Sequence, residues 1–440
     1  MHIAILGRQP NLGMAELESL YGPDATKWFS SQSAVVSTDT FSIDHLGGTQ
    51  KAGRVSAELH QGDWHRVSMK IVQAYSEAWA DLDGKLTLGI SAYGFNVSAR
   101  EVQKTGIVLK QKLKKAGVSL RLIPNTDVAL NSATSHHNKL GLSSNKVELL
   151  VVRATNGRVV IAESIGAQNI TAYAQRDQGR PKRDAFVGML PPKLAQIMIN
   201  LATPSQPPSL KLKAPSRSDI SESEHLQPES EPISKLDITS GAKPFTQTKS
   251  LSGDQNDKTL PRILDPFCGT GVILQEAALM GYAVYGTDLA DKMVEYSQTN
   301  LEWLASTHHV DIDATIHQGD AMTTTWQPPI DAVVCESYLG QPFSAPPSPA
   351  KLDEVRKNCN YIIGTFLKNI GGQLTPGTPL CIAIPAWRST NGDFSHLSLT
   401  NQLEKLGFKE QSLSTVARND LLYYREDQVV ARELLLLTKA

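Results

Sequence analysis

The chain has little that would point to a membrane, a metal centre or a disulfide framework. Its 440 residues include only four cysteines, and none of them forms a Cys-x-x-Cys pair. This argues against a zinc ribbon and is typical of a protein in a reducing cytosol. No apolar run approaches the roughly 20 residues that a membrane span needs, and the amino terminus has no signal-peptide core. We therefore expect a cytoplasmic protein with no metal and no membrane partner.

Charge and composition point to a globular protein. The formal net charge is only -1 at pH 7, so the overall charge of the chain does not indicate nucleic-acid binding. With 40% hydrophobic residues it can bury substantial cores, and its length suggests roughly three folding units of about 150 residues each. No internal repeat and no heptad run is present. We expect a monomer or a weak dimer.

A glycine-rich loop stands between a predicted strand and a predicted helix. Residues 265–271 read Asp-Pro-Phe-Cys-Gly-Thr-Gly and precede an apolar stretch at 272–280. The glycines let the backbone approach a ligand where any Cβ would collide, and the helix start offers free N–H groups. The loop is neither a nicotinamide-binding Gly-x-Gly-x-x-Gly nor a P-loop, which needs Gly-Lys-Ser/Thr. A turn that needs glycine for conformational reasons alone is the alternative.

Two acidic residues follow the loop at the spacing of a nucleotide-binding fold. Residues 282–286 predict a second strand that ends at Asp288, roughly 20 residues beyond the loop, where dinucleotide folds place an acid that binds ribose hydroxyls. Residues 312–317 predict a third strand, followed by Asp320. Together with Asp265, these acids suit a ligand with a cationic amino-acid end, a ribose and an adenine.

On these residues the chain resembles the class I S-adenosylmethionine (AdoMet)-dependent methyltransferases. The resemblance implies AdoMet as cofactor and an α/β, Rossmann-like sheet that is mostly parallel and has a terminal antiparallel hairpin, with strand candidates at 421–424 and 429–437. We expect Arg418, Arg425 and Arg432 to be surface charges. The cofactor-binding residues that the resemblance implies are Asp265, Phe267, Cys268, Gly269, Gly271, Asp288, Leu289, Asp320 and Ala321.

A further segment narrows the resemblance to methyltransferases that act on amines. The predicted strand 331–335 runs into Glu336-Ser337-Tyr338, where N-methyltransferases carry an acid or amide, two prolines and an aromatic. Here Ser337 and Tyr338 replace the prolines, and the aromatic stands one position early. The resemblance implies that Glu336 orients an exocyclic amine and that Tyr338 stacks on the base, so the predicted catalytic residues are Glu336, Ser337 and Tyr338. A degenerate site is the alternative.

Segments nearer the amino terminus resemble one branch of the superfamily. Residues 191–195 read Pro-Pro-Lys-Leu-Ala and, like residues 3–20, are similar to segments of the tRNA guanosine N2-methyltransferases, which join a THUMP domain to a Rossmann-like catalytic domain. The resemblance implies an α+β THUMP-like RNA-binding region and tRNA as substrate, methylated at N2 of a guanosine. That family modifies tRNA position 10, although nothing in this sequence fixes the nucleotide. A DNA N-methyltransferase and a non-catalytic AdoMet- or RNA-binding protein are the alternatives.

Basic residues supply two candidate RNA contacts. Between residues 102 and 121 the chain has six bases and no acid, and apolar residues recur at near-helical spacing, which predicts a helix with lysines on its solvent face. Such a face can follow phosphates, but it can also be only a solvated surface. A second cluster lies at the entrance to the catalytic half. The predicted RNA-binding residues are Lys104, Lys110, Lys112, Arg176, Arg180, Lys182 and Arg183.

Composition shifts divide the chain into five segments. We expect an amino-terminal α/β unit at 1–55, the THUMP-like domain at 56–170, and a connecting segment with the first catalytic helix at 171–201. Residues 202–260 are rich in Pro, Ser, Glu, Lys and Gln. They are predicted to be a disordered insertion, because such a stretch buries too little apolar surface to offset its conformational entropy. The methyltransferase domain is predicted at 261–440.

Overall fold

The structure is a computed structural model and describes residues 1–184, 189–203 and 260–440. The predicted insertion therefore lies outside the described residues except at its margins, where Ala202 is still the last residue of a helix and Leu260 precedes a strand. Within the described residues, no helix is both long and apolar enough to cross a membrane.

The amino-terminal half is built on one mixed sheet. Within residues 1–184 its strands are β1 (His2–Leu6), β2 (Thr26–Ser30), β3 (Ser33–Val36), β4 (Thr49–Leu59), β5 (Lys85–Tyr93), β6 (Ser119–Leu122), β7 (Lys146–Arg153) and β8 (Val159–Ala167). The helices are α1 (Pro10–Tyr21), α2 (Trp64–Ala78), α3 (Ala99–Lys115), α4 (Ser132–His137) and α5 (Ile170–Gln178). The strand order is β2-β3-β1-β4-β8-β7-β5-β6, and the only parallel pairs among these strands are β5 with β6 and β5 with β7.

The predicted boundary after residue 55 falls inside β4. This strand pairs with β1 along one edge and with β8 along the other, so the segments 1–55 and 56–170 share one sheet. Composition changes near residue 55, but the hydrogen-bonded ladder continues to Leu59. The boundary therefore needs correction, while the THUMP-like character of this half stays a prediction.

The carboxyl-terminal half contains a second sheet with helices on it. Its helices are α6 (Pro192–Ala202), α7 (Val272–Leu279), α8 (Asp291–His308) and α9 (Pro349–Gly371). Its strands are β9 (Arg262–Asp265), β10 (Ala283–Asp288), β11 (Ala314–Gln318), β12 (Ala332–Glu336), β13 (Pro379–Arg388), β14 (Phe394–Ser395), β15 (Phe408–Glu410), β16 (Leu422–Tyr423) and β17 (Val430–Lys439). Short 3₁₀ turns occupy Ser398–Gln402, Glu404–Leu406 and Arg418–Asp420.

The topology of this sheet confirms the predicted Rossmann-like class. The order is β11-β10-β9-β12-β13-β17-β15, in which β9 to β13 run parallel and β17 runs antiparallel to β13. The strand order reverses at β9, which lies between β10 and β12. In open α/β sheets, ligands bind in the crevice beyond the carboxyl ends of the strands at such a switch point, and the glycine-rich loop leaves β9 there.

Helix α6 joins the two halves. It lies between α1 of the first half and α7 of the second, and it is apolar along most of its length. Leu12 and Met14 of α1, Leu194 and Met198 of α6, and Ile273 of α7 belong to one buried cluster. The described part of the chain therefore has a core that runs continuously from the first sheet into the second.

Candidate active site

The glycine-rich loop requires glycine at one position for steric reasons. Gly271 has a φ of 78°, and a Cβ there would stand 2.9 Å from the Ser297 hydroxyl oxygen. Because the left-handed conformation disfavours side chains and α8 closes the space, the loop can turn tightly into α7 only with glycine here. Gly269 has a φ of 52°, but a Cβ there would meet only the Phe267 carbonyl oxygen, at 3.9 Å. Gly269 lines the cleft.

Two buried polar residues of α8, which the sequence analysis missed, hold this loop. The Ser297 hydroxyl donates to the Gly269 carbonyl oxygen at 2.7 Å. The Asn300 amide donates to the Thr270 carbonyl at 2.8 Å and to the Lys182 carbonyl at 2.9 Å. Both residues are fully buried. The only sequence signal is the spacing of two polar residues three positions apart on the buried face of α8.

The predicted acids follow three adjacent strands. Asp288 accepts hydrogen bonds from the Gly269 and Ala290 backbone N–H groups, each at 2.9 Å, so its carboxylate is fixed against the loop. Asp320 accepts from the Met322 N–H at 2.9 Å. Asp265, at the end of β9, accepts from the Phe267 N–H at 3.1 Å. Each carboxylate keeps lone pairs for further donors.

Burial changes the protonation of the innermost groups. Burial raises the pKa of Asp265 well above its usual range, and the neighbouring Asp288 and Glu336 carboxylates act in the same direction. A cationic ligand near Asp265 would oppose this shift. Burial also raises the pKa of the Cys268 thiol, which keeps it neutral. Cys268 therefore contributes its backbone and its volume rather than a thiolate.

One cleft brings the predicted cofactor and catalytic residues together. It has a volume of about 870 Å³, and it is lined by all of them except Gly271. Leu289 is exposed at its edge, and the Phe267 ring packs edge-on against Phe366. No group of three or more His, Cys, Asp or Glu side chains within the described residues is arranged to hold a metal ion.

Glu336 forms an ion pair that its local sequence does not predict. The Nε of Arg432 on β17 donates to the Glu336 carboxylate, and Arg432 is only 7% exposed. The expectation that Arg432 is a surface charge is therefore wrong. Arg418 is also paired, with Glu410 and Glu433, whereas Arg425 is exposed.

The three predicted catalytic residues have different surroundings. The Ser337 hydroxyl donates to the Ala383 carbonyl at 2.9 Å, and its backbone N–H donates to the same oxygen. Because Ser337 is buried and engaged in this way, it fixes the turn after β12, and its predicted catalytic role needs correction. Tyr338 is 39% exposed and lines the cleft beside Glu336. Glu336 and Tyr338 remain available to a substrate.

The predicted RNA-binding residues fall into two groups. Arg176 and Arg180 are buried: Arg176 donates to both carboxylate oxygens of Glu276 at 2.6 and 3.1 Å, and Arg180 lies against Met189. Because both side chains are buried against neighbouring residues, neither can reach RNA, so these two assignments are corrected. The residues that remain on or near the surface are Lys104, Lys110, Lys112, Lys182 and Arg183.

The basic helix has the predicted form. It begins at a capping box formed by Ser98 and Glu101 and buries Val102, Leu109 and Leu113. Gly117, with a φ of 88°, follows its end, as the sequence predicts. Lysines occupy its solvent face, which is the geometry that binding to phosphates requires.

Comparisons with known proteins agree with this fold and cleft. Residues 263–360 match the family described as "Methyltransferase domain". Among curated relatives, the tRNA (guanine(10)-N2)-dimethyltransferase of Methanothermobacter thermautotrophicus is 35% identical over 124 residues, which are 28% of this chain and 33% of that protein. The enzyme of the same name from Pyrococcus abyssi is 52% identical over 83 residues, 19% of this chain and 21% of that protein.

The solved structures include a distant neighbour of similar length. The crystal structure of TrmN from Thermus thermophilus aligns over 100% of this chain and 99% of its own, with 16% identity and a TM-score of 0.48. The chain spans about a third or less of the length of the two curated relatives named above.

The order of the strands, the glycine-rich loop and the spaced acids define a class I AdoMet-dependent methyltransferase domain. The residues fit the cofactor, since they provide a tight glycine-rich loop that lines the cleft and a carboxylate at or just after the end of each of three neighbouring strands. Segments of the chain are similar in sequence to tRNA (guanine(10)-N2)-dimethyltransferases. The predicted methyltransferase class is thus confirmed.

Proposed function

We propose that this protein transfers a methyl group from AdoMet to the exocyclic N2 amine of a guanosine in tRNA. The observation that carries the proposal is that Glu336 and Tyr338 open into the same cleft as the glycine-rich loop. A hydrogen-bond acceptor and an aromatic ring thus stand beside the cofactor residues. Position 10 of the tRNA is the site we propose, because the curated relatives carry that position in their names.

Different cofactor-binding residues contact different parts of AdoMet in this proposal. In this proposal Asp265 and the backbone of 267–271 hold the methionine end, Asp288 binds the ribose hydroxyls, and Asp320 with Ala321 binds the adenine. Leu289, exposed at the edge of the cleft, covers one face of the adenine. Support comes from the fixed orientation of Asp288, which the loop itself holds.

Catalysis in this proposal is mainly positioning. Bound AdoMet supplies a methyl group that is already activated by the sulfonium, so neither a metal nor a strong base is needed. Tyr338 stacks on the base after it leaves its helix, and Glu336 accepts a hydrogen bond from the amine and directs its lone pair. The lone pair forms the N–C bond as the C–S electrons return to sulfur, and the amine then loses a proton towards Glu336. The rate of methyl transfer depends mainly on holding the amine nitrogen in line with the carbon–sulfur bond.

Substrate binding in this proposal uses basic residues of both halves. The lysines of α3 follow tRNA phosphates, and Lys182 and Arg183 lie just before the catalytic half. We further propose that the protein acts in the cytoplasm as a monomer or a weak dimer.

Methyl transfer to different nucleic acids tests the proposal. The protein is incubated with methyl-labelled AdoMet and either total tRNA or duplex DNA, and the modified nucleotide is mapped by mass spectrometry. We expect N2-methylated guanosine at tRNA position 10, and its loss when that guanosine is replaced by adenosine. Label in DNA would identify a DNA N-methyltransferase, and AdoMet binding without transfer would identify a non-catalytic binding protein.

Substitution of Glu336 tests its role. We expect Glu336→Ala to lower kcat by about 100-fold or more, because the amine loses its acceptor, while AdoMet still binds. Glu336→Gln is the matched control, since its amide oxygen can still accept a hydrogen bond and should retain part of the rate. Wild-type turnover by Glu336→Ala would exclude the assigned role.

A further inference from the structure

The partner of Glu336 comes from a strand that is not its neighbour. Glu336 pairs in register with Ala383 of β13, and Arg432 of β17 pairs with Pro385 of the same strand. Ala383 and Pro385 are two residues apart and therefore point to the same face. The Glu336 and Arg432 side chains together bridge two strand spacings, roughly 10 Å, above two short side chains. The ion pair thus depends on the antiparallel placement of β17.

The geometry leaves part of the Glu336 carboxylate free. Arg432 donates through Nε to Oε1, and no hydrogen bond to Oε2 is present among the described residues. The Glu336 side chain is 16% exposed and lines the cleft, as does Arg432. One carboxylate oxygen is therefore held by Arg432, and the other is available to a hydrogen-bond donor in the cleft.

The other charged groups around Glu336 would not keep it ionised. The titratable groups that face it are Arg432 on β17, Asp265 on β9 and the Cys335 thiol on β12 itself, while Ala383 and Pro385 of β13 carry no charge. The other acids that line the cleft are Asp184, Asp288, Asp320 and Asp427. Arg432 is thus the cation that faces Glu336 from these strands.

We propose that Arg432 is a positioning residue for methyl transfer, which holds Glu336 as an ionised carboxylate with Oε2 directed at the acceptor amine. The inference rests on the proposed function and adds to it a residue outside the resembled motif. It also gives a reason why this chain functions with Glu-Ser-Tyr where related enzymes have prolines. The carboxylate is held from a distant strand rather than by a rigid turn alone.

The protonation of Glu336 supports the proposal. Burial raises the pKa of Glu336, and the ion pair with Arg432 opposes that shift. Without the guanidinium, burial would favour the protonated acid, which cannot accept the amine's hydrogen bond through that oxygen. In the reaction, the amine nitrogen gains the methyl group and a positive charge, the C–S electrons stay on sulfur, and the released proton passes to Glu336 or to water.

Titration and kinetics of Arg432 variants test this inference. Glutamate side-chain carboxyl carbons are labelled with 13C, and Glu336→Gln identifies the Glu336 signal by its loss. We expect Arg432→Met to raise the midpoint of the Glu336 titration by about one pH unit or more. We also expect kcat for tRNA methylation to fall about tenfold or more at neutral pH and to recover towards alkaline pH. Arg432→Lys, which keeps the charge, should restore the midpoint and part of kcat.

Arg418→Met is the matched control. Arg418 pairs with Glu433, the residue after Arg432 on β17, and with Glu410, but it does not line the cleft. It should change stability without moving the Glu336 midpoint or the acid limb of the pH profile. If Arg432→Met cannot be purified, Arg432→Lys and Arg432→Gln carry the same comparison.

The outcomes separate the two proposals. An unchanged Glu336 midpoint in Arg432→Met, or an unchanged pH profile, overturns the role of Arg432 even if wild-type protein methylates tRNA. A shifted midpoint in a protein that methylates no tRNA overturns the proposed function, and it retains the inference that Arg432 keeps Glu336 ionised.

Discussion

At the scale of single residues, Gly271 occupies a position that no other residue type fits without cost. Its left-handed φ and the nearby Ser297 side chain both oppose a methyl group. We expect Gly271→Ala to destabilise the fold by about 1–3 kcal/mol and to weaken AdoMet binding, because the loop moves away from Asp288. Thermal unfolding and calorimetric AdoMet titration measure the two effects.

Gly364→Ala provides the control for this substitution. Gly364 lies within α9, and a Cβ there meets nothing within 4 Å. In a helix, alanine is favoured over glycine by about 0.5–1 kcal/mol, so this variant should be unchanged or slightly more stable. Equal losses in the two variants would show that the loop has no special requirement for glycine.

Local sequence is enough to predict some site residues and not others. Asp265 and Asp288 each end a short, mostly apolar run, so the position of a strand end also gives the position of the carboxylate. The pairing of Glu336 with Arg432 depends instead on how β17 is placed against β13, 96 residues along the chain. A buried arginine and an exposed one look alike in sequence, because only the tertiary partner distinguishes them.

At the scale of elements, Arg176 shows what the buried arginines contribute. It links α5 to α7 through Glu276, and both side chains are at most 9% exposed. We expect Arg176→Met to destabilise the protein by about 3–5 kcal/mol, because it leaves Glu276 as an uncompensated buried charge. Denaturant unfolding measures the loss.

A surface pair provides the comparison for Arg176. Lys351→Met breaks the more exposed pair with Glu354 on α9 and should cost about 0.5 kcal/mol or less. Arg176→Met should leave the salt dependence of tRNA binding unchanged in protein that remains folded. A reduced salt dependence would restore Arg176 as a residue that binds RNA.

Substitutions on the lysine face of α3 should have the opposite effect to Arg176→Met, since they should change tRNA binding and not stability. Replacing Lys104, Lys110 and Lys112 with Gln should weaken tRNA binding and reduce the slope of log K against log salt by about one for each phosphate that the helix no longer binds. Stability should change little, since these side chains are exposed. Filter binding at several salt concentrations measures the slope.

A triple variant with the same loss of charge controls for net charge. Lys27, Lys70 and Lys409 are exposed on β2, α2 and β15, so their replacement with Gln removes three scattered charges. An equal effect on binding in both triple variants would mean that α3 is only a solvated helix surface.

In this chain the sequence predicts helices more accurately than domain boundaries. The apolar spacing and Gly117 predicted α3 closely, because capping and amphipathic burial are local properties. The boundary at residue 55 was misplaced because β4 is recruited by partners on both sides, one of them more than 100 residues later. Strand pairing between residues so far apart along the chain does not change the local composition, so composition cannot reveal it.

At the scale of the whole molecule, the junction between the two halves contains buried hydrogen bonds as well as the apolar core around α6. Glu16 of α1 accepts from the backbone N–H groups of Gly47 and Gly48 and from the Asn200 amide of α6, each at 2.8 Å. Glu18 accepts from the backbone N–H groups of Ser414 and Thr415 at 2.6 and 2.8 Å. Helix α1 thus has direct hydrogen bonds to the catalytic half at two places.

The Glu16 carboxylate should make this junction sensitive to pH. Burial raises the pKa of Glu16 from 4.5 to about 7, and the three hydrogen bonds oppose this only in part. Because the folded state holds the proton more tightly than the unfolded chain, the stabilising contribution is complete below about pH 4.5. It is lost as the pH rises to about 7, and the full difference is of the order of 3 kcal/mol.

Glu16→Gln removes this titration, so the free energy of unfolding of the wild type should fall relative to that of the variant between pH 4.5 and about 8. Denaturant unfolding at four or five pH values measures the difference, with Glu354→Gln on the surface of α9 as the control for lost charge. Parallel curves for wild type and Glu16→Gln would show that Glu16 does not titrate in this range.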